Sequence, residues 1–463
     1  MSDAKDTAAA ASPADVEKAE VYPPNQTDVG SMRKHVESND PDEAFQLVSA
    51  EAITLTPEDE KRLLRKIDFH LMPLLCIIYG LNYLDKTTLS YASIMGIKKD
   101  LNLQGQDYSW IASIFYFGYL FWEWPTNRLL QRLPLAKYSA FNVIMWGLTL
   151  CCLAAVKNFA GAMTVRVFLG AFEAAVSPGF ALFTSQWYTK KEQGTRVGWW
   201  FSFNGWGQIV GGCVAYGIAV GTEAHPIAIK SWQLVFLVTG FFTAFMGVLF
   251  LWLMPDSQLN ARFLTQEERI MAIERIRINQ QGVGNKHFKW YQCKEAFTDP
   301  MIWAFVFYSV ISSIPNGGMS NYFSQLIVSF GFSENMSLLL GVPGGAVQVI
   351  SLLVCGHFGD RFKNRWTKKT TAAAMYLIAY CVGNIIGPQV FQSNDAPRYR
   401  NANIVVLVCM CVSFAILLFI NFWCKRENRI KAAIRDSPGY TKVDGQEFLD
   451  LTDRENPEFI YSL

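Results

Sequence analysis

Blocks of about 20 apolar residues recur along the middle of this 463-residue chain. A helix needs roughly that many apolar residues to cross about 30 Å of hydrocarbon, and only helices and closed barrels satisfy their backbone hydrogen bonds inside lipid. Charged residues make up 17% of the chain, whereas soluble proteins contain about a quarter. The sequence therefore predicts an all-α, polytopic membrane protein.

Ten of the apolar blocks are predicted to span the membrane as helices. They lie at 68–94, 108–130, 134–156, 160–188, 198–220, 231–253, 300–326, 335–358, 370–390 and 402–424. Lys and Arg concentrate in every second connection, for example at 62–66, 190–196 and 254–298. Because positive charge stays on the cytoplasmic side of a membrane, this bias and the even number of spans predict that both termini are cytoplasmic.

The charged segments around the spans predict five parts of the chain. We expect a disordered cytoplasmic tail at 1–65, a six-helix bundle at 66–253, a cytoplasmic linker with an amphipathic helix at 254–298, an incomplete four-helix bundle at 299–424 and a cytoplasmic tail at 425–463. The N-terminal tail is polar and lacks a sustained apolar period. Within the linker, LTQEE is typical of a helix start with acidic residues in its first turn.

Among the ionisable residues inside the predicted spans, where such residues are costly and usually face a cavity or a partner, five are candidates for a functional role. Arg166 and Glu173 are seven residues apart, which places them two turns apart on one helix face. We interpret Arg166 as the site for an anionic substrate and Glu173 as its partner or a proton carrier; a static ion pair is the alternative. Asp85 and Lys86 are either coupling groups or interface residues, and Glu123 either contacts substrate or anchors its helix.

Amide side chains recur at four-residue spacing in the later spans. Asn204 and Gln208 share one face of the fifth span, Asn321 and Gln325 share one face of the seventh, and Gln348 lies in the eighth. A proline and two glycines precede the seventh-span amides and are expected to break that helix, a common feature of transporter binding regions. We therefore predict that these amides line a substrate cavity. The glycines of the fifth span instead favour close helix packing.

Several stretches carry a resemblance to a known family. They are YLDKTTLSYASI, YSWIASIFYFGYLFWEWPTNRLLQRLP, RVFLGAFEAAVSPG, GHFGDRFKNR and TKKTTAAAMYLIAYCVGNIIGPQ. From about residue 60 to 430 the chain resembles the major facilitator superfamily, specifically the fungal allantoate permease branch of anion:cation symporters. The resemblance implies two helical bundles, alternating access and uptake of a small organic anion with protons. It also matches Arg166 and Glu173 to the charged positions of the family's fourth helix.

The same resemblance identifies a cytoplasmic gating turn. Gly356, Asp360, Arg361 and Arg365 match the turn that follows the family's eighth helix. The equivalent turn after the second span has Asn127 where an acidic residue is expected. We therefore expect other contacts to gate the N-terminal bundle.

One loop of this chain combines the start of one loop of the family with the end of a later loop. In the family, the GDR turn leads from helix eight to nine, whereas the TKKTT turn leads from helix ten to eleven. Here Arg365-Trp366-Thr367 brings the two turns together. The chain is therefore predicted to lack one helical hairpin, which leaves six plus four spans. A gene-model error, a splice form and a degenerate paralogue all remain open as its origin.

The predicted function is proton-coupled uptake of a small organic anion, such as allantoate, by a monomer in the plasma membrane. A vitamin-acid carrier of the nicotinate or pantothenate type is an alternative, as is a non-transporting nutrient receptor or truncated protein. The ten cysteines fall mainly in apolar spans without metal-ligand spacing. We expect no metal, cofactor, enzymatic activity or nucleic-acid partner.

Overall fold

Helices dominate the computed structural model, which describes residues 57–225, 228–277, 294–295, 297–361, 370–437 and 440 and contains no strand in these ranges. The helices are α1 (Pro57–Ile94), α2 (Ile97–Asp100), α3 (Asp107–Arg132), α4 (Leu135–Leu153), α5 (Phe159–Glu173), α6 (Val176–Trp187), α7 (Lys190–Ala224), α8 (Ser231–Leu253), α9 (Gln266–Arg277), α10 (Pro300–Ser329), α11 (Glu334–Leu339), α12 (Val342–Arg361), α13 (Thr370–Val390) and α14 (Arg400–Arg435). A 3₁₀ helix at Ser393–Asp395 lies between α13 and α14.

Every predicted span is helical. By length and hydropathy alone, six helical segments of the described chain could cross a membrane: α1, α4, α5 with α6, α8, α11 with α12, and α14. The remaining predicted spans correspond to α3, α7, α10 and α13. The all-α, polytopic architecture is confirmed.

The ends of the membrane region differ from the prediction. The tail expected to reach residue 65 ends earlier, because α1 begins at Pro57 and Leu63 is already buried. Proline suits the first position of a helix, and the acidic residues at 58–60 complement the positive end of the helix dipole. The last span likewise continues as α14 to Arg435. The rest of the predicted tails, at 1–56 and 441–463, lies outside the described residues.

Two predicted spans are interrupted, and each interruption begins within four residues before a proline. The fourth span divides into α5 and α6 at 174–175, and the eighth divides into α11 and α12 at 340–341. Pro178 and Pro343 lack the N–H group that would bond to the carbonyls of residues 174 and 339, and a proline ring clashes with that carbonyl. Proline accompanies both interruptions but does not cause one by itself, since α1 and α3 run through Pro73 and Pro125.

The predicted break in the seventh span is wrong. Helix α10 runs without interruption through Pro315. Its glycines allow α13 to approach closely, since a Cβ on Gly317 would lie 2.8 Å from Asn384 Cα and one on Gly318 would lie 3.2 Å from the Gly387 carbonyl oxygen. Helix α10 tolerates proline because a neighbouring helix packs tightly against it.

Glycines also bring α7 against α12. A Cβ on Gly205 would lie 2.3 Å from the Gly345 carbonyl oxygen, and one on Gly198 would lie 2.8 Å from Gly356 Cα. Real Cβ atoms do not approach other atoms that closely, so only glycine permits this helix spacing. The packing interpretation of the fifth-span glycines is confirmed.

The linker helix α9 docks on the N-terminal helices near the start of α1 and of α7. Arg275 is 2% exposed; its Nε donates to Glu60 Oε1 at 3.0 Å and its Nη2 donates to Glu192. Lys66 Nζ lies 2.6 Å from Glu268 Oε2. Ion pairs therefore hold α9 to α1 and α7. The predicted position of the linker on the cytoplasmic side stays a prediction, and linker residues 278–293 and 296 lie outside the described part.

The C-terminal helices expose more apolar surface than the N-terminal ones. Within its most apolar 18-residue window, the α11–α12 segment is 17% buried and α14 is 11% buried, against 44 to 67% for the four N-terminal segments that qualify as spans. The described residues up to 417 form one compact unit. From Leu418, the end of α14 belongs to a second unit, in which Arg426 Nη1 lies 3.5 Å from Glu427 Oε1.

Candidate substrate-binding site

A buried ion pair joins α1 to the end of α5. Lys86 Nζ lies 3.0 Å from Glu173 Oε1, and the Glu173 side chain is 0% exposed. The same ammonium donates a hydrogen bond to Asn82 Oδ1, one turn earlier in α1, at 3.1 Å. Glu173 is held at this position because α5 ends there, at the interruption caused by the following proline.

Arg166, two turns earlier in α5, lies near two acids. The residue is 3% exposed and interacts electrostatically with Asp85 of α1 and, more weakly, with Glu173 of its own helix. Asp85 also accepts a hydrogen bond from Trp146 Nε1 at 2.7 Å. The guanidinium carbon lies 5.9 Å from the centre of the Phe115 ring, within cation–π range. Among the described residues, the ion pair of Glu173 is therefore with Lys86 of α1 and not with Arg166.

Asp85 and Lys86 are withdrawn from solvent. Asp85 is 1% exposed and the Lys86 side chain is 19% exposed. Consecutive residues of a helix point in different directions, and Lys86 pairs with Glu173 while Asp85 accepts from Trp146. The arrangement collects two acids and two bases in the interior of the N-terminal helices.

The cluster retains unused hydrogen-bonding capacity. Among the described residues, Arg166 Nε, Asp85 Oδ1 and Glu173 Oε2 have no hydrogen-bond partner, although all three atoms are buried. Glu173 Oε1 is close to the Lys86 ammonium but not aligned for a hydrogen bond. Buried polar atoms without partners are unfavourable and rare. A ligand carboxylate on Arg166 and a proton on an acid would satisfy these groups.

Tyrosines surround the Lys86–Glu173 pair, and the sequence analysis missed them. Lys86 interacts electrostatically with Tyr116 and Tyr119 of α3 and with Tyr380 of α13. The rings of Tyr116 and Tyr380 lie 6.1 Å apart, centre to centre, and meet edge to face. The i, i+3 spacing of Tyr116 and Tyr119 was the available signal. Aromatic faces at this position can stack on a planar ligand group.

The two amides of α7 lie in different surroundings. Asn204 is buried. Gln208 is partly buried and donates from Nε2 to the Gly341 carbonyl at 3.0 Å, at the interruption between α11 and α12. This bond satisfies a carbonyl next to the helix break, so Gln208 has a structural role here.

The amides of α10 and α12 also bond away from the charged cluster. Asn321 donates back to the Gly317 carbonyl of its own helix at 2.8 Å. Gln325 accepts a hydrogen bond from Lys98 at 2.5 Å. Gln348 is half-buried on α12. The hydrogen bonds of these side chains therefore do not converge as the sequence analysis expected.

Glu123 points into the helices. It is 6% exposed, whereas the adjacent Trp124 is 83% exposed. The carboxylate interacts electrostatically with Tyr119 of its own helix and with Cys381 of α13. Glu123 Oε1 has no hydrogen-bond partner among the described residues. The acid therefore faces α13, while the tryptophan beside it faces outward.

The gating turn is described only in part. Gly356 faces Gly198 of α7 in close contact. Asp360 and Arg361 form the end of α12. Their side chains, and the whole of Arg365, lie outside the described residues, so the predicted gating contacts stay a prediction.

Hydrogen bonds close the helices at the end that the charge bias predicts to face outside, here called the outer end. They join α1 and α3 to α10 and α13: Ser90 Oγ donates to Ser324 Oγ (3.2 Å), Tyr108 Oη donates to the Asn321 carbonyl (2.7 Å), the hydroxyls of Ser109 and Tyr322 share a bond (2.6 Å), and Ser113 Oγ donates to the Ile385 carbonyl (2.8 Å). We call this set the outer seal. These bonds hold α1 and α3 against α10 and α13 at the outer end.

Known proteins resemble this chain over most of its length. Residues 75–426 match the family model described as Major Facilitator Superfamily. An uncharacterised transporter of Schizosaccharomyces pombe is 38% identical and aligns over 88% of this chain and 91% of its own. The allantoate permease of Saccharomyces cerevisiae is 35% identical over 91% and 90%, and the thiamine pathway transporter of the same yeast is 34% identical over 86% and 86%.

A solved structure has the same fold. The crystal structure of the nucleoside transporter NupG aligns with 75% of this chain and 99% of its own, with a TM-score of 0.50 and 13% sequence identity. At this identity the likeness concerns the fold alone.

The sequence alignments are longer than the part of this chain that they include. The alignment with the S. pombe transporter has 467 positions and includes 88% of this chain, about 407 of its 463 residues. About 60 positions therefore pair residues of the relative with gaps in this chain. Two spans of about 20 residues with their loops require about that length.

Proposed function

Because the chain belongs to the major facilitator superfamily and is a multi-pass membrane transporter, we propose that it carries a small organic anion into the cell together with protons. The observation that carries the proposal is the buried cluster of Asp85, Lys86, Arg166 and Glu173, in which Arg166 Nε has no partner among the described residues. A guanidinium is suited to hold a carboxylate because it donates two parallel hydrogen bonds.

The net charge of the cluster explains why an anion and a proton travel together. In their ionised forms the two acids and two bases cancel, so an anion that enters alone leaves one uncompensated negative charge in a low-dielectric site. A proton on Glu173 restores neutrality and releases Lys86 from its ion pair. Substrate carboxylate and proton therefore favour each other's binding, which is the thermodynamic requirement for symport.

The proposed substrate is allantoate or a related small carboxylate. The allantoate permease relative supports this class, and the tyrosines around Lys86 supply aromatic faces for a planar ureido group. A vitamin-acid carrier of the nicotinate or pantothenate type is the second candidate, since the same guanidinium and aromatic faces suit an aromatic carboxylate.

We place this transporter in the plasma membrane as a monomer with cytoplasmic termini. Support for the orientation comes from the ion-paired linker α9, which lies at the same end as the basic connections. The unequal six-plus-four division is supported by the low burial of α11–α12 and α14 and by the gaps in the alignments. Sequencing the native transcript between the codons for 360 and 370 tests the missing hairpin directly.

Uptake by purified protein in liposomes with an imposed inward proton gradient tests the proposal. Radiolabelled allantoate should accumulate, and Arg166→Gln should lower the initial rate about a hundredfold, because a buried charged contact is worth about 2–5 kcal/mol. Arg132→Gln, at an exposed arginine of α3, is the matched control and should transport normally. Normal uptake by the Arg166 variant would remove the anion-site assignment.

The same preparation separates the alternatives. Competition by unlabelled nicotinate or pantothenate, stronger than that by allantoate, would favour the vitamin-acid carrier. Allantoate binding without gradient-dependent accumulation would favour a nutrient receptor.

A further inference from the structure

Lys98, on the short helix α2 at the outer end, is a second cation that is partly shielded from water. Its ammonium donates to Gln325 Oε1 of α10 at 2.5 Å. The same nitrogen lies 4.4 Å from the ring centre of Tyr108 and 5.8 Å from that of Tyr322. Both rings belong to residues of the outer seal. The ammonium of Lys98 therefore lies against two tyrosines of the outer seal.

No carboxylate of the described chain forms an ion pair with Lys98. The acid nearest in sequence, Asp100, is engaged by Lys230 Nζ at 2.5 Å and by Trp232 Nε1 at 2.6 Å. Burial lowers the pKa of Lys98 to about 8, because no carboxylate compensates for the loss of water around its charge. Lys86, by contrast, has a carboxylate partner, since Glu173 Oε1 lies 3.0 Å from its ammonium.

A cavity of about 160 Å³ lies beside this ammonium. Its lining includes Lys98, Gln106, Tyr108, Tyr322 and Tyr399. At about 30 Å³ per molecule, the volume corresponds to roughly five waters, or to one carboxylate with a few attached atoms. Gln325, which holds the ammonium, has a buried Nε2 without a partner among the described residues. The ammonium of Lys98 lines the cavity and offers donors for a carboxylate, whereas Gln325 lies behind it and fixes its position.

We propose that Lys98, held in place by Gln325, forms an outer anion-binding site that receives the carboxylate of the substrate before the outer seal opens. This inference rests on the proposed uptake of an organic anion and adds a first station to its path. A bound carboxylate competes with Gln325 Oε1 for the ammonium, so occupancy weakens a contact between α2 and α10 and favours opening. In this proposal the substrate binds first at Lys98 and then at the central cluster of Asp85, Lys86, Arg166 and Glu173.

Transport kinetics supply the first test. Lys98→Gln should raise the KM for external allantoate about tenfold, the effect of losing one charge-assisted hydrogen bond, and should leave the maximal rate within about twofold. Lys99→Gln, at the exposed neighbour, is the matched control and should leave both unchanged. A Lys98→Gln variant with the KM of the unmodified protein would overturn the proposal.

Thiol labelling supplies a test that does not need transport. Ser393 is exposed and lines the cavity, so Ser393→Cys provides a reporter for impermeant methanethiosulfonates added outside, with the unmodified protein as the background. Lys98→Gln in this variant should lower the ratio of anionic to cationic labelling rates about fivefold or more, by loss of local positive potential. Millimolar allantoate should slow anionic labelling only when Lys98 is present. An unchanged ratio would overturn the site.

The two tests distinguish this inference from the proposed function. If the protein fails to accumulate allantoate but labelling depends on Lys98, the anion site stands and the uptake proposal falls. If uptake depends on Arg166 while neither KM nor labelling responds to Lys98, the outer site alone is wrong.

Discussion

Glu173 forms its ion pair with Lys86, at 3.0 Å, although Arg166 occupies the same helix two turns earlier. Arg166 interacts electrostatically with both Asp85 and Glu173, but the ion pair that ties α5 to α1 is the one between Glu173 and Lys86. A substrate at Arg166 and a proton at Glu173 can therefore act on different groups, which a single ion pair within α5 would not permit.

Neutralising Glu173 should separate proton coupling from substrate binding. Glu173→Gln cannot take up a proton, so gradient-driven accumulation should fall at least about tenfold, while exchange of internal for external substrate should persist because Arg166 is intact. Accumulation and counterflow exchange are measured in the same liposomes. Glu223→Gln, at an exposed acid of α7, is the control. Equal losses in accumulation and exchange would make Glu173 a structural partner of Lys86 only.

The positions of the spans could be predicted from sequence because they depend on local properties. Apolar length and loop charge place a helix in a membrane without reference to its neighbours. The interruption before Pro178 and the continuity through Pro315 have the same local signal but different outcomes. A proline in the sequence therefore does not decide whether a span is interrupted, and the close packing of α10 against α13 is a contact that no local pattern contains.

The four charged residues were singled out from sequence, but the ion pair between Lys86 and Glu173 was not predicted. Arg166 and Glu173 share a face of α5, yet the rotation of α1 decides which base meets Glu173. The partners of the amides could not be predicted either, since Gln208 and Gln325 bond to groups more than 100 positions away in sequence. Lys98 has no distinguishing sequence signal, because its withdrawal from water depends on α3 and α10.

A methyl group on α7 should be tolerated at one glycine and not at another. In Gly205→Ala, the new Cβ would lie 2.3 Å from the Gly345 carbonyl oxygen, whereas Gly217→Ala meets nothing within 4 Å. Overpacking costs about 1–3 kcal/mol, so the Tm of the Gly205 variant in detergent should fall by about 5 °C. The Gly217 variant should keep its Tm or gain slightly, because alanine favours helix. Equal Tm values for both variants would contradict the close contact of α7 with α12.

The linker helix should detach when Arg275 is neutralised. Arg275→Gln removes the charge that holds Glu60 and Glu192, and charge-assisted bonds contribute about 1.5–3 kcal/mol. Local opening should therefore increase about tenfold or more. Phe263 reports the opening, since it stacks on His70 at 4.3 Å when the linker is docked.

The measurement is the rate of chymotrypsin cleavage after Phe263 in the purified protein. The matched control is Arg262→Gln, at an exposed arginine of the same linker, which should be cleaved at the unmodified rate. Cleavage of the Arg275 variant at that same rate would show that other contacts suffice to hold α9 in place.

A covalent bond across the outer seal should stop transport. The Ser90 and Ser324 hydroxyls lie 3.2 Å apart, so Ser90→Cys combined with Ser324→Cys places two thiols within reach of a disulfide after a small adjustment. Oxidation should reduce allantoate uptake to background, because α1 and α10 can no longer separate at the outer end, and a reductant should restore it. Each single cysteine variant should transport normally under the same oxidant. A cross-linked protein, verified by mass spectrometry of the joined peptides, that still accumulates allantoate would show that substrate does not pass between α1 and α10.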